Sequence, residues 1–256
     1  MRFIRKLISF ILIVALIAGG FCFIQGKQLY DKKLSEISLE DKVNSIKSSE
    51  SFVSISSLPD YYKNAVIAVE DHRFREHSAV DIIAICRAIV SNFKQKEFAE
   101  GGSTITQQTA KNLYFITSDD VVSRKMAEII LGYELEKNYS KDEILELYVN
   151  TIYFGNGYYG IGKACKGYLN KDAQDMTLYD ATMLAGIPNA PSVYAPNINF
   201  DLTKSRQKKV VSSMREYGYL EQNQATELNR QIDATSYEDL KKCKRSIWRR
   251  KITPDF

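Results

Sequence analysis

Residues 70–77 of this chain read EDHRFREH. Two adjacent carboxylates are followed there by His72 and His77, the only histidines of the chain. A zinc site is one interpretation, but the pattern lacks the HExxH arrangement and leaves the ligand set short. Neighbouring residues on a helix point about 100° apart, so Glu70 and Asp71 would not share one substrate atom. The stretch therefore favours carboxylate chemistry by Glu70, with a second working carboxylate elsewhere.

Helical periodicity of apolar residues dominates residues 52–228, which predicts a mainly α domain. One helix is predicted over Pro59–Glu70, with Glu70 at its exit. The capping-box pattern SKDE at residues 140–143 predicts the start of another helix, which runs to about Asn150. The glycines of FGNGYYGIG, at residues 154–162, lack the surroundings of a dinucleotide site and predict a turn between helices.

An uncharged apolar run occupies residues 7–24 and follows the basic residues Arg2, Arg5 and Lys6. About 18 apolar residues are long enough to cross a bilayer core as a helix. The positive flank predicts a cytoplasmic N-terminus and an outward-facing remainder of the chain. A cleaved signal peptide is the alternative because residues 18–20 are small, but the apolar run continues beyond them. The sequence therefore predicts a retained, single-pass membrane anchor.

The bulk composition excludes little. A formal charge of +4 over 256 residues is mild, so no nucleic-acid partner is expected. Outside the apolar run, Cys86, Cys165 and Cys243 are far apart and form no CxxC pair, which favours buried small side chains over a metal knuckle or a disulfide. The basic stretch at residues 241–251 is either solvated or in contact with an anionic lipid or polymer.

Five short patterns follow one another along the chain. They are EDHRFREH at 70–77, GGSTITQQ at 101–108, SRKMAE at 123–128, KDEILELYVN at 141–150 and LAGIPNAPSVYAP at 184–196. Together they resemble the family 51 glycosyltransferases, the polymerases of peptidoglycan, over about residues 52–218. The resemblance implies a lysozyme-like, bilobal helical glycosyltransferase domain after the single transmembrane helix.

The resemblance also implies a reaction. A growing glycan on a lipid pyrophosphate would be the donor, and the 4-hydroxyl of lipid II would be the acceptor, with inverting transfer into β-1,4-linked strands. A sugar hydroxyl is a weak nucleophile, so a carboxylate that takes its proton speeds transfer about 10²- to 10⁴-fold. The resemblance assigns this general base to Glu70 and the second essential carboxylate to Glu128. Spacing alone favours a plain surface ion pair between Glu128 and Arg124.

Further site residues are implied in the same way. A pyrophosphate that leaves with growing negative charge needs fixed cations, and Lys111, Arg124 and Lys125 fit that need. The expected substrate-binding residues are Asp71, Phe74, His77, Ser103, Thr104, Gln107, Gln108, Lys111, Arg124 and Lys125. Two departures from the family pattern stand out. Ala79 replaces a usual glycine, and residues 112–123 lack a cation that many relatives carry there.

No required cofactor and no dedicated metal cage are expected, and stimulation by magnesium or manganese through the substrate pyrophosphate is left open. The expected partners are lipid II, the growing lipid-linked glycan and membrane lipid, with other cell-wall synthesis proteins left open. The expected location is the cell membrane, with the N-terminus in the cytoplasm and the catalytic domain outside. A lysozyme-like lytic enzyme and a non-catalytic membrane scaffold are the alternatives.

The predicted organisation has five parts. They are a cytoplasmic basic flank (1–6), a transmembrane anchor (7–24), a polar stalk (25–50), a glycosyltransferase domain (51–235) and a basic C-terminal tail (236–256). The stalk is predicted as a solvated helical spacer because its apolar residues recur irregularly among polar ones. Residues 93–100 are predicted to form either a lipid-adjacent segment or a surface helix. Two S-x-x-K matches, at 91–94 and 205–208, lack a later K-T-G element, so no transpeptidase site is expected.

Overall fold

A computed structural model of the chain describes residues 2–95 and 102–240. Over these ranges the predicted mainly α class is confirmed, and the only β pairing is an isolated bridge between Tyr153 and Tyr159. Most of the predicted lipid-adjacent segment, and the basic tail beyond residue 240 with Cys243, lie outside the described residues. The helices are α1 (Arg2–Glu36), α2 (Leu39–Lys47), α3 (Asp60–Glu70), α4 (Ile82–Gln95), α5 (Ile105–Ala110), α6 (Val121–Asn138), α7 (Lys141–Thr151), α8 (Ile161–Ala164), α9 (Leu178–Gly186), α10 (Pro191–Tyr194), α11 (Phe200–Glu216) and α12 (Gln222–Ala234).

The helices around the core pack in two groups. In the first, α3, α9 and α11 pack against one another, and α12 lies against α11. In the second, α5 packs against both α6 and α7, and α1 lies along α6. Large aromatic side chains are buried in both groups, such as Tyr62 on α3 and Tyr148 on α7. Because Glu70 ends α3 and contacts both α5 and α11, it marks the place where the two groups meet.

Two helix ends that matter for the site follow the sequence-based prediction. α3 begins directly after Pro59 and ends at Glu70, where Asp71 leaves the helical region with φ −163° and ψ 75°. α7 begins with the predicted capping box. Ser140 Oγ accepts a hydrogen bond from Glu143 N, and Glu143 Oε2 accepts one from Ser140 N at 2.9 Å. The reciprocal bonds satisfy two of the backbone donors that a helix start leaves free.

The predicted glycine turn between helices is confirmed. Gly155, Gly157 and Gly160 have φ of 82°, 78° and 84°, a region that other residues rarely adopt. At Gly160 a Cβ atom would lie 2.6 Å from Asn150 O, so the backbone of α7 also leaves no room for a side chain. The turn thus brings the chain back against the end of α7 and into α8.

The predicted membrane anchor forms one continuous helix, α1. Its most apolar window has a mean hydropathy of 2.8, and within the described part of the chain it is the one helix long and apolar enough to span a bilayer. Apolar side chains such as Leu12 and Leu16 are 61% and 77% exposed. The exposed face is one that lipid would cover.

The structure corrects the prediction of a solvated stalk over residues 25–50. Gly26 is buried against α6, and Leu39 and Val43 on α2 are only 7% and 3% exposed. Tyr114 Oη also donates a hydrogen bond to Ile37 O at 3.0 Å. The irregular apolar residues of this segment are therefore the buried face of two helices that pack on the domain, and the domain begins before residue 51.

The described cysteines outside α1 lie in different surroundings. Cys165 is fully buried, as predicted for a small apolar side chain, and burial raises the pKa of its thiol to about 12. Cys86 lies exposed on α4, which corrects the prediction that it is buried. Both are free thiols.

Candidate active site

Glu70 lies at the end of α3 with only 9% of its side chain exposed. Gln108 Nε2 on α5 donates a hydrogen bond to Glu70 Oε2 at 3.1 Å, and Arg206 Nη2 on α11 lies 3.5 Å from Glu70 Oε1. Burial raises the pKa of Glu70 above its ordinary value, although Gln108 and Arg206 act to lower it. Two helices thus hold in place a carboxylate that is more basic than an exposed one.

A cleft of about 280 Å³ opens beside Glu70. Of the predicted site residues, its walls contain Glu70, Asp71, Ser103 and Thr104. A larger cavity, of about 580 Å³, lies between residues 50–57 and 162–174 and contains none of them. The smaller cleft is the candidate active site, because a partly buried acid of raised pKa in a cleft marks a functional site better than volume does.

Asp71 supports the loop after α3. Its Oδ2 accepts a hydrogen bond from Ile105 N at 2.9 Å, at the start of α5, and its Oδ1 lies 2.8 Å from His77 Nε2. Burial acts to lower the pKa of His77, but the hydrogen bonds to Asp71 and to Ser78 O outweigh it and raise the pKa. The pair therefore ties the exit of α3 to the start of α5.

Phe74 and His77 are two of the predicted substrate-binding residues that lie outside the walls of the cleft. Phe74 is fully buried, with Lys141 Nζ 4.5 Å from its ring centroid, and the side chain of His77 is only 5% exposed. Their burial favours support of the loop, and their contact with substrate stays a prediction. Both belong to the loop after α3, where His77 Nε2 contacts Asp71 Oδ1 and Phe74 N donates a hydrogen bond to Asp71 O.

Asp71, His77 and Asp81 could be read as a metal site, because each offers a ligand atom and these atoms lie within 4.8 Å of one another. However, Asp71 already accepts from Ile105 N and contacts His77. Asp81 Oδ2 lies 3.1 Å from Arg73 Nε. These three side chains already contact protein groups, which favours a network of hydrogen bonds and an ion pair over a cation site.

Thr104 caps the start of α5. Its Oγ1 accepts a hydrogen bond from Gln107 N at 3.1 Å and donates one to Ala79 O at 2.8 Å. Thr104 and Gln107 are each 2% exposed. The Thr104 hydroxyl is used in the cap although the residue lines the cleft, and the Gln107 amide is buried, so substrate contact by either residue stays a prediction. Gln108, one residue further on, turns toward Glu70 instead.

Glu128 on α6 is buried at 4% exposure, unlike a member of a surface ion pair. Lys125 Nζ lies 2.9 Å from Glu128 Oε2, and Arg124 Nε lies 3.5 Å from Glu128 Oε1. Lys125 Nζ also donates a hydrogen bond to Ser103 Oγ at 2.9 Å. Because Ser103 lines the cleft beside Glu70, this chain of contacts connects the two carboxylate centres.

The remaining predicted cation, Lys111, lies exposed directly after α5. It follows Gln107 and Gln108 by one helical turn, so it extends from the same segment that holds Glu70. Its contact with substrate stays a prediction, as do the catalytic roles of Glu70 and Glu128.

The model of the family described as Transglycosylase matches residues 38–215. The chain belongs to the transglycosylase family. The match begins inside the predicted stalk, in agreement with the burial of α2.

The chain is also similar to individual penicillin-binding proteins. Penicillin-binding protein 1A of Neisseria lactamica is 47% identical over 165 residues, which cover 64% of this chain and 21% of that protein. Penicillin-binding protein 4 of Bacillus subtilis is 36% identical over 221 residues, which cover 84% of this chain and 34% of that protein. The crystal structure of penicillin-binding protein 1A from Haemophilus influenzae aligns with a TM-score of 0.34 and 25% identity over 49% of this chain and 15% of that chain. This transglycosylase-family chain thus spans between a fifth and a third of the two sequence relatives.

The structure adds site residues of this transglycosylase-family chain that sequence reasoning missed. Arg206 is 136 residues from Glu70 in the sequence. It lies within the S-x-x-K match at residues 205–208, which predicts no part of this site. His72 stacks on Tyr217, with ring centroids 4.1 Å apart and an interplanar angle of 9°, and both rings line the cleft. No local spacing signals these contacts, because each depends on how α11 packs against α3.

Proposed function

We propose that this chain is a peptidoglycan glycosyltransferase that polymerises lipid II into β-1,4-linked glycan strands on the outer face of the cytoplasmic membrane. One observation carries the proposal. Glu70 is a nearly buried carboxylate of raised pKa at a cleft, held by Gln108 and Arg206. A general base near neutral pH needs this kind of environment, and membership of the transglycosylase family supplies the class of reaction.

In the proposed reaction, the 4-hydroxyl oxygen of lipid II attacks C1 of the donor sugar while Glu70 takes the hydroxyl proton. The bond from C1 to the pyrophosphate oxygen breaks, and its electron pair leaves with the lipid pyrophosphate. Attack from the face opposite the leaving group inverts C1. The hydrogen bond from Gln108 fixes one carboxylate oxygen and leaves the other near Arg206, so the base is oriented before substrate arrives.

The leaving pyrophosphate is proposed to lie near Arg124 and Lys125, with Lys111 as a third cation. Lys125 is 41% exposed at its side chain while its partner Glu128 is 5% exposed. A buried carboxylate that holds a partly exposed ammonium keeps the positive charge in a fixed place, which lowers the cost of stabilising negative charge as it develops. Any magnesium or manganese would arrive with the pyrophosphate, and no resident cofactor is required in this mechanism.

The apolar part of α1 is proposed to cross the membrane, with its basic flank, Arg2, Arg5 and Lys6, in the cytoplasm. The domain then faces outward, beside the bilayer in which donor and acceptor both diffuse. Partners under this proposal are lipid II, the growing lipid-linked glycan and membrane lipid.

The test is polymerisation of labelled lipid II by the full-length wild type, Glu70→Gln and Glu76→Gln. Glu76 belongs to the same EDHRFREH motif, but its side chain is 69% exposed, so its loss controls for a change of charge in the loop. We expect Glu70→Gln to lower the rate at least about 100-fold, because the general base is lost. We expect Glu76→Gln to polymerise at close to the wild-type rate.

Other outcomes of this test would redirect the assignment. An unchanged rate in Glu70→Gln would show that the base is another residue. Release of soluble fragments from intact cell wall, without polymer from lipid II, would identify a lytic enzyme. Neither polymer nor fragments from the wild type would favour a non-catalytic scaffold.

A further inference from the structure

The membrane helix packs directly on the helix that carries Glu128. α1 lies along α6, and Gly26 on α1 is buried against Met126 and Ala127 of α6. A Cβ atom at Gly26 would lie 2.4 Å from Met126 Cβ and 3.1 Å from Ala127 N. Contacts below 3.0 Å are almost never made by real Cβ atoms, so any side chain at residue 26 must push the two helices apart.

One face of α6 packs against α1, and another carries Lys125 and Glu128. At about 100° per residue, Met126 points about 160° away from Glu128 around the helix axis. Glu128 and Lys125 face the region of Ser103, while Met126 faces α1. A sideways displacement of α6 by the anchor would therefore move the Lys125–Glu128 pair relative to Ser103.

Other contacts hold α1 against the domain, so α1 cannot move by itself to make room for a side chain at residue 26. The Tyr30 hydroxyl donates a hydrogen bond to Glu134, which lies about two turns beyond Met126 on α6. Beyond the end of α1, Ile37 O accepts the hydrogen bond from Tyr114 at 3.0 Å. Ala127 and Leu131 on α6 are fully buried in the close-packed core, so a displacement of α6 also displaces the side chains packed against it.

We propose that Gly26 is a positioning residue for the transfer reaction. By permitting close contact between α1 and α6, it fixes the position of Lys125 and Glu128 against Ser103, so the membrane anchor forms part of the support of the active site. This inference rests on the proposed function. A misplacement of about 1 Å from a change far from the chemistry can cost about 100-fold in rate.

The experiment compares full-length Gly26→Ala with Gly19→Ala in the lipid II assay. Gly19 is the matched control, because it lies in the same helix and a Cβ there meets nothing within 4 Å. Alanine favours a helix more than glycine, so helix propensity alone would weaken neither variant. We expect Gly26→Ala to lower kcat about 10- to 100-fold, with KM for lipid II changed less than about 3-fold, since the leaving-group side of the transition state is disturbed. Gly19→Ala should match the wild type in both constants.

A compensating change separates positioning from general damage. Met126→Gly removes both atoms that the new Cβ would strike, so Gly26→Ala with Met126→Gly should recover most of kcat. If Gly26→Ala does not accumulate in membranes, Met126→Ile tests the same contact from α6 by adding a branch at Cβ.

The outcomes distinguish this inference from the proposed function. A wild type that makes no polymer would overturn the proposed function. Polymer from the wild type with equal kcat in Gly26→Ala and Gly19→Ala would overturn only the role of Gly26. A fall in kcat that merely tracks the amount of folded, inserted protein, with no recovery in the double variant, would also overturn it.

Discussion

Two features around Glu70 shift its pKa in opposite directions. Burial raises the pKa, whereas the guanidinium of Arg206, at 3.5 Å, lowers it. In the proposed reaction the base works only when ionised. The balance between these effects therefore sets the lowest pH at which the enzyme is active.

Arg206→Gln should move the acid limb of the kcat/KM profile to higher pH. Without the positive charge the pKa of Glu70 rises further, so a higher pH is needed to ionise it. The measurement is the rate of lipid II polymerisation between about pH 5 and pH 9, with the limb fitted for each protein. Arg215→Gln is the control, since Arg215 lies on the same helix and contacts Gln222 instead. A limb that stays in place or moves to lower pH in Arg206→Gln would contradict this account.

The motifs predicted carboxylates that lie in or near the cleft, but they did not predict which of the other motif side chains line it. The motifs pointed to Glu70 and Glu128, and the structure places both in connected, nearly buried positions. The same motifs suggested substrate contact for Phe74, which is fully buried. A motif records that a residue type is needed at a position, but it does not distinguish a side chain that binds a ligand from one that holds the loop. Arg206 carried no local signal, because its contact with Glu70 arises only when α11 folds against α3.

At the scale of helices, the site depends on how the start of α5 is fastened to the loop after α3. Thr104 joins the two through hydrogen bonds with Gln107 N and Ala79 O, and Asp71 joins them through Ile105 N. The segment that carries Ser103 and Gln108 is therefore positioned by buried hydrogen bonds to the loop after α3.

Thr104→Ala should lower the free energy of unfolding by about 1–2 kcal/mol, because the helix cap loses its side-chain acceptor. The neighbouring Ala79 O would also lose its hydrogen-bond donor. Urea unfolding measures the change, and Thr104→Ser, which keeps the hydroxyl, should recover most of it. If the alanine variant unfolds at the wild-type urea concentration, the cap makes no contribution to stability.

The helix type and several helix boundaries could be predicted from local patterns, as the capping box of α7 and the exit of α3 at Glu70 illustrate. The packing of residues 25–50 could not. Their apolar residues are sparse enough to resemble a solvated helix, and only the facing surfaces of α6 and α7 show that they are buried. The burial of residues 25–50 therefore depends on long-range packing, which local periodicity does not reveal.

At the scale of the whole molecule, the question is where the membrane segment ends and the folded domain begins. The family match starts at residue 38, and Leu39 and Val43 belong to the hydrophobic core. Residues 26–47 thus connect the apolar part of α1 to the core of the domain, and their contact with the domain contributes to its stability.

A chain that lacks residues 2–24 should therefore keep the stability of the domain, whereas one that lacks residues 2–50 should not. The longer deletion removes Leu39 and Val43 from the core, at about 1.5–3 kcal/mol for each buried side chain, so the free energy of unfolding should fall by at least about 3 kcal/mol. Urea unfolding of the two detergent-free proteins measures the difference. Equal stabilities would restore the interpretation of residues 25–50 as a solvated spacer. A large difference in the free energy of unfolding would mean that the end of α1 and α2 fold as part of the domain. A change in the tilt of α1 would then displace α6, because the two helices are packed together.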